Sequence, residues 1–241
     1  MMPQTRETIK LSGSTRMPFS DRQEAIQSLV DYAIAEVDRK YNSDGPTHLY
    51  YHSTRHTKYV LEAIRSIGEL AVENMRISST DIGLLEIAAA FHDIEQGLGS
   101  RANENASARC AANMMAGTGR FKEGEIDLVW AMILSTKVSF DKGILKQLVL
   151  SQQYGYPTHI MADADLATLG ALMVIYWDAA ERLLFELSRT LEPNIEQRRA
   201  FLKNQIRLLE DHRFLTEEAA SLYGNQRMNL EFTRKLLEEL D

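Results

Sequence analysis

The clearest candidate for chemistry in this chain is a histidine followed directly by an aspartate, His92-Asp93. The pair ends a helical pattern over residues 84–91 that is almost entirely apolar. A charge buried at such a position is costly unless it is paired or bound to a metal ion. A divalent ion coordinated by both side chains would remove that cost. The alternative is an Asp93 hydrated at the helix end beside a His92 that hydrogen-bonds to the backbone.

A second group of candidates is formed by His48, His52 and His56, which follow one another at intervals of four residues. Side chains spaced in this way share one face of a helix. The alternative is a cluster of tyrosine and histidine side chains that packs where the helix begins. We expect helix over about residues 52–75.

A third candidate is the pair Asp163 and Asp165, at the start of an apolar pattern that predicts one long helix over 163–190. Asp163 is expected to cap this helix and to interact favourably with its dipole. Asp165 lies further into the helix and is the better candidate for an inward-pointing carboxylate.

The elements that must position these residues are all predicted to be helices, eight to ten in number, with no convincing strand alternation. Ser20 and Gln23 form a plausible capping box for the first helix, and the run from Ser78 to Asp81 is a second start signal. Further helical patterns cover about residues 103–116, 123–136, 142–152, 194–211 and 216–240.

The composition argues against several classes of protein. Of the 241 residues, 44% are hydrophobic and 25% are charged, which is ordinary globular usage. The formal charge is −7 without a basic block, so we expect no duplex nucleic-acid partner. A single cysteine, Cys110, excludes an internal disulfide. Apolar runs of signal-peptide or membrane-spanning length are missing, so we expect a cytoplasmic protein without a membrane partner.

Taken in chain order, the candidates read His56, then His92-Asp93, then Asp165, on successive predicted helices. With its flanking segments, this order resembles the HD superfamily of metal-dependent phosphohydrolases. The segments that match are 51–56 (YHSTRH), 88–93 (AAAFHD), 103–108 (NENASA), 133–136 (ILST) and 163–170 (DADLATLG). The resemblance covers about residues 20–190. It implies an all-α, HD-domain-like helical bundle over 20–241. Residues 1–19 are polar and show no period, so we expect them to form a flexible arm or an irregular lead-in.

The resemblance also implies a metal site, with one divalent ion such as Mn²⁺, Mg²⁺, Fe²⁺, Co²⁺, Ni²⁺ or Zn²⁺. Two imidazoles and two carboxylates suit any of these ions. Four protein ligands leave room for a water molecule whose pKa the ion would lower. The implied ligands are His56, His92, Asp93 and Asp165.

Residues near the implied site could complete the chemistry. Asp93 could orient the water, and Glu104 could transfer a proton or hold that water. Lys137 and Arg101 could balance charge on a phosphate. The alternatives are solvated surface charges for the two cations, and for Glu104 a favourable position in the first turn of a helix.

The chain departs from the family pattern at three positions. Ser53 stands where the family has asparagine, and Lys137 follows a segment that a histidine often follows in the related branch. Gln96 stands where nucleotide-cleaving members place a glutamate, and Glu95 comes one residue early. A binuclear site is therefore doubtful, and the general acid or base remains open. His52 is expected to support the first ligand or to pack beside it.

The function that the resemblance implies is hydrolysis of a phosphoester in a nucleotide or another small phosphorylated metabolite. One alternative is a non-catalytic metal-binding sensor or interaction domain on the same scaffold. Another is a metal-dependent oxygenase. The leucines of the last predicted helices, among them Leu208 and Leu230, could close the core or form the seam of a homodimer.

Overall fold

The computed structural model of the chain describes residues 21–42, 48–97, 102–141, 144–147 and 154–240. Within these ranges the fold is all-α, as predicted, with one short hairpin added. The helices are α1 (Arg22–Tyr41), α2 (Thr54–Glu73), α3 (Ser79–Phe91), α4 (Asn103–Thr118), α5 (Glu123–Ser135), α6 (Tyr156–Asp165), α7 (Met173–Ser188), α8 (Ile195–Asp211), α9 (Glu217–Leu222) and α10 (Gln226–Glu238).

The helix starts follow the expected chemistry of N-caps. The backbone N–H of Ser78 donates to the carboxylate of Asp81 at 2.8 Å, so the predicted start of α3 is confirmed. Helix α1 begins after Asp21, whose carboxylate accepts from the backbone N–H of Glu24 at 2.8 Å. Ser20, the residue predicted as its cap, lies outside the described residues.

Helix α3 is the centre of the main hydrophobic core. Every residue from Leu85 to Phe91 except Glu86 is buried with no exposed surface. The helix packs against α1, α2, α4, α5 and α6. A helix that is apolar on all sides belongs at the centre of a core, and this position fixes the direction of His92 at its end.

The predicted long helix over 163–190 is wrong. Helix α6 ends at Asp165, a 3₁₀ turn follows over Ala167–Gly170, and α7 begins only at Met173. Asp163 therefore lies in the last turn of a helix that begins at Tyr156, and it does not cap the start of its own helix. Pro157, in the first turn of α6, favours the earlier start.

A packed and hydrogen-bonded contact holds the break between α6 and α7. The backbone N–H of Asn225 donates to the carbonyl of Gly170 at 3.0 Å. The buried amide of Asn229 donates to the carbonyls of Leu169 and Ala171, both at 2.9 Å. These carbonyls leave the helical ladder because α10 supplies their donors. The same contact lies beside the break between α9 and α10, where a single helix over 216–240 was predicted.

Replacing Gly170 with alanine is expected to lower the free energy of unfolding by about 2–4 kcal/mol. A Cβ atom at this position would lie 2.0 Å from the carbonyl oxygen of Tyr223, which is backbone and cannot swing away. Urea denaturation of Gly170→Ala checks the expectation. Gly117→Ala in α4 is the control, since a Cβ there meets nothing within 4 Å. We expect that control to be neutral or slightly more stable. Equal stabilities for the two variants would contradict the close contact.

A second correction concerns residues 144–147, part of the stretch 142–152 that was predicted to be helical; the rest of that stretch lies outside the described residues. Strand β1 (Val138–Asp141) pairs antiparallel with β2 (Ile144–Gln147), with Val138 opposite Gln147. Two residues separate the strands in the sequence, and one of them is Gly143. This spacing with a glycine is typical of a tight hairpin, and the strands are too short to show a clear alternation.

Helices α7, α8 and α10 form a second, smaller hydrophobic cluster beside the main core. Its buried members are Leu169, Tyr176, Ala180, Leu184, Phe201 and Leu209. The space between this cluster and the ends of α3 and α6 holds the cavity described below. Among the described residues, no helix combines the length and the apolar character that a membrane crossing needs.

Candidate metal centre

Three helices bring the four predicted ligands to one point. His56 comes from the first turn of α2, His92 and Asp93 follow α3, and Asp165 ends α6. The Nε2 atom of His56 lies 3.1 Å from Nε2 of His92 and 3.2 Å from Oδ1 of Asp165. Asp93 Oδ2 lies 3.1 Å from Nε2 of His92 and 3.5 Å from Nε2 of His56. Nε2 of His92 is also 3.4 Å from Oδ1 of Asp165.

These separations are compatible with atoms that share one metal ion. Metal–ligand bonds of about 2.1 Å place neighbouring ligands about 3.0 Å apart at 90° and about 3.4 Å apart at the tetrahedral angle. The five distances run from 3.1 to 3.5 Å. His56, His92 and Asp93 each offer a ligand atom within 4.8 Å of the other two, so these three could hold a metal ion. Asp165 contacts both imidazoles but lies outside that group of three.

The backbone orients His92 for coordination. Its Nδ1 donates to the carbonyl of Ala89 at 2.7 Å, which places the lone pair of a neutral ring on Nε2. The ring is buried, with 1% of the residue exposed. The hydrogen bond to the backbone proposed as an alternative for His92 is therefore present, and it prepares the ring for a metal.

The two carboxylate oxygens of Asp93 differ, because one accepts a well-aligned hydrogen bond and the other does not. Its Oδ1 accepts from the side-chain amide of Gln96 at 2.8 Å, and the Oε1 of Gln96 accepts from Asn103 at 2.8 Å. Its Oδ2 is buried and accepts no well-aligned hydrogen bond among the described residues, although it lies 3.1 Å from Nε2 of His92. A buried acceptor without a partner is costly, and an ion between this oxygen and the two imidazoles would remove the cost. The residues present therefore fit a divalent ion.

The electrostatics favour ionised carboxylates at this point. Burial opposes ionisation of Asp93, but the His92, His52 and His56 rings hold its pKa well below the usual range. Burial likewise opposes ionisation of Asp165, and its contacts with the His56 and His92 rings hold its pKa low. Two carboxylate charges would balance those of one divalent cation.

Asp163 has a different role from Asp165, two residues further along α6. Its carboxylate accepts from the backbone N–H of Leu215 at 2.8 Å and from that of Thr216 at 2.8 Å. It also accepts from the hydroxyl of Thr216 at 2.6 Å. Thr216 is the N-cap of α9, so Asp163 anchors the start of a distant helix instead of its own. Asp163 is completely buried, and Asp165 faces the imidazoles.

Asp93 and Asp165 line a cavity of about 320 Å³. His56 and His92 contact these two carboxylates but are not among the described residues that line it. Glu104 lines the cavity, and its Oε2 is buried without a hydrogen-bond partner among the described residues. Lys137 is not among the described residues that line it, although its neighbours Thr136 and Val138 are. Arg101 lies outside the described residues. The catalytic roles suggested for Glu104 and Lys137 stay predictions.

A hydrogen-bonded pair that sequence reasoning missed lies beside the four ligands. His52 lines the cavity, and its Nδ1 lies 2.5 Å from Oε1 of Glu186 on α7. The other carboxylate oxygen of Glu186 accepts from the backbone N–H groups of Tyr51 and His52. Burial opposes protonation of His52, but Asp93 and Glu186 raise its pKa to about 9. The only sequence signal for Glu186 is a lone carboxylate within an apolar stretch of a predicted helix.

The remaining histidines lie elsewhere. His48 is exposed and its ring contacts Tyr50, and His52 precedes the first residue of α2. Of the three histidines predicted to share a helical face, only His56 therefore lies on the helix. The ring of His56 also packs against that of Tyr51, with centroids 4.6 Å apart. Tyr51 therefore contacts His56 through its ring and Glu186 on α7 through its backbone N–H.

Comparison with known proteins adds a fold relationship. No protein-family model matches the chain, and no curated protein matches it in sequence. Among solved structures, the chain is similar to the phosphodiesterase domain of a rhodopsin phosphodiesterase from Salpingoeca rosetta, with a TM-score of 0.64. The identity is 14%, and the match covers 92% of this chain and 83% of that one. At this identity the likeness shows the fold alone.

Proposed function

We propose that the chain is a metal-dependent phosphohydrolase that acts on a nucleotide or another small phosphorylated metabolite. The observation that carries the proposal is the contact of Asp93 Oδ2, which accepts no well-aligned hydrogen bond, with two imidazole nitrogens at 3.1 and 3.5 Å. His56, His92, Asp93 and Asp165 would hold the ion. When bound, a divalent ion would polarise a phosphoryl oxygen and lower the pKa of water.

The chain's own residues supply the remaining functions. Gln96 fixes the rotation of the Asp93 carboxylate, so that one oxygen stays directed at the imidazoles. Glu104 presents an unpartnered carboxylate oxygen and can accept a proton from water in the cavity. Apolar side chains along the opposite wall, among them Leu166 and Leu169, limit the water that reaches the phosphoryl group.

His52 is our candidate for the general acid. Glu186 holds the Nδ1 side of the ring and favours the imidazolium, so the ring can donate its other proton to the oxygen of the leaving group. The same logic operates wherever a carboxylate orients a catalytic histidine. This assignment replaces the supporting or packing role that the sequence suggested for His52.

We expect His52→Gln to lower kcat by about 100-fold for an alkyl phosphate, whose leaving group needs a proton. For p-nitrophenyl phosphate the loss should be much smaller, because p-nitrophenolate leaves without protonation. Steady-state kinetics on both substrates check the expectation. Glu186→Gln should show the same leaving-group dependence in weaker form, and His48→Gln, at an exposed position, should show none. Equal losses on both substrates would exclude His52 as the acid.

The function itself is tested in two steps. Metal content is measured on protein purified without added metal, and generic phosphoesters are then screened with Mn²⁺, Mg²⁺ or Ni²⁺. Turnover that depends on the metal and is removed by a chelator supports the proposal. Stoichiometric metal without turnover of any phosphoester would instead favour a metal-binding sensor or interaction domain. Consumption of O₂ with redox-active iron would favour an oxygenase.

A further inference from the structure

The charges on the cavity wall are unevenly distributed. Three carboxylates line it, those of Asp93, Glu104 and Asp165, together with the imidazole of His52. Neither lysine nor arginine is among the described residues of the wall. One divalent ion and one imidazolium would balance the three carboxylates. Among the described residues of the wall, no positive charge would then remain for a second or third phosphate group.

The end of the cavity away from the carboxylates is apolar. The 3₁₀ turn, α7 and α8 supply this wall, and its polar members Thr168 and Gln205 carry no charge. The apolar members are Val138, Leu166, Leu169, Tyr176, Ala179, Ala180, Leu183 and Leu208. The hydroxyl group of Tyr176 forms a hydrogen bond of 2.8 Å with the hydroxyl group of Thr233. This bond holds the tyrosine ring in place, so the ring presents a fixed surface to the cavity. When an uncharged organic group covers such a wall, the free energy of the complex falls, because apolar surface is removed from water.

We propose that the site takes substrates in which a single phosphoryl group is joined to an uncharged, largely apolar organic group, and that it discriminates against polyphosphates. This inference rests on the proposed function and narrows its substrate class. Each further phosphate would add negative charge to a site in which the three carboxylates already offset the charges of the ion and of the imidazolium. At the effective dielectric constant of a partly buried site, such a charge lowers the affinity for the ligand by about 10–100-fold.

The first experiment compares phenyl phosphate with tripolyphosphate, with Mn²⁺ in excess of total phosphate. We expect kcat/KM for phenyl phosphate to be higher by at least about 10-fold. Equal or faster hydrolysis of tripolyphosphate would overturn the inference while leaving the proposed function intact. Binding of phenylphosphonate and methylenediphosphonate to the Mn²⁺-loaded protein, measured by calorimetry, tests the same preference without turnover. Tighter binding of phenylphosphonate with no hydrolysis of any ester would support the inference and contradict the proposed function.

A variant tests the charge argument directly. Leu183→Lys introduces a cation into the apolar wall, and Ala179→Lys does so one helical turn earlier if the first variant fails to fold. Either should raise the affinity for methylenediphosphonate relative to phenylphosphonate by at least about 10-fold. Leu187→Lys is the matched control, on the same helix but 67% exposed, and it should leave the ratio unchanged. An unchanged ratio in a folded wall variant would overturn the inference.

Discussion

The variant Asp93→Ala is expected to lose the metal ion and to lower phosphoester hydrolysis by about 1000-fold or more. Asp93 supplies the oxygen between the two imidazoles, and its removal leaves His56 and His92 with one carboxylate, Asp165. The helical circular dichroism signal should persist, because Asp93 follows α3 and its side chain is not part of the hydrophobic core. Metal content per chain and kcat are the measurements.

The control for Asp93→Ala is a histidine outside the cavity wall. His159→Ala should leave the metal content unchanged, because this half-buried ring contacts Tyr156 on its own helix. His212→Ala should also keep the metal. However, His212 is buried and packs against Phe214, so that variant will lose stability as well. Full metal content and activity in Asp93→Ala would contradict the site and the mechanism built on it.

The second large effect concerns stability. Asp163→Ala is expected to lower the free energy of unfolding by about 3–5 kcal/mol, because three donors at the start of α9 lose their charged acceptor. Two of these donors belong to Thr216, which is 2% exposed and cannot turn to water. Urea denaturation with and without Mn²⁺ measures the loss.

Asparagine at the same position separates the structural role from the ligand role. A simple cap needs only one acceptor oxygen, so the capping role predicted for Asp163 would let Asp163→Asn or Asp163→Ser keep most of the stability. The structure changes this expectation, since one amide oxygen cannot satisfy three donors, and we now expect about half of the alanine loss. Asp165→Asn is the matched comparison and should lose the metal while keeping the fold. If Asp163→Asn loses the metal and Asp165→Asn keeps it, the two assignments are reversed.

Much of the fold could be predicted from the sequence because it depends on local chemistry. The all-round apolar pattern before His92 placed α3 at the centre, and the Ser78 signal located its start. The order His56, His92-Asp93, Asp165 marked four residues that the structure brings together. Five of their six pairs have side-chain atoms within 3.5 Å of each other. Periodicity and capping act within a turn or two of helix, so they can be recognised in one dimension.

The tertiary structure decided what depends on partners far along the chain. The carbonyl of Gly170 accepts a hydrogen bond from the backbone N–H of Asn225. This contact lies where the helix is interrupted, although the apolar pattern continues and predicted one long helix. Asp163 finds Thr216, more than 50 residues away, which makes it an anchor for α9. Glu186 contacts the ring of His52, which lies 134 residues away in the sequence. Because of this contact, His52, which was expected to pack beside the site, becomes the candidate acid. A side chain's partner in such contacts is set by how whole helices pack, and no local pattern encodes that packing.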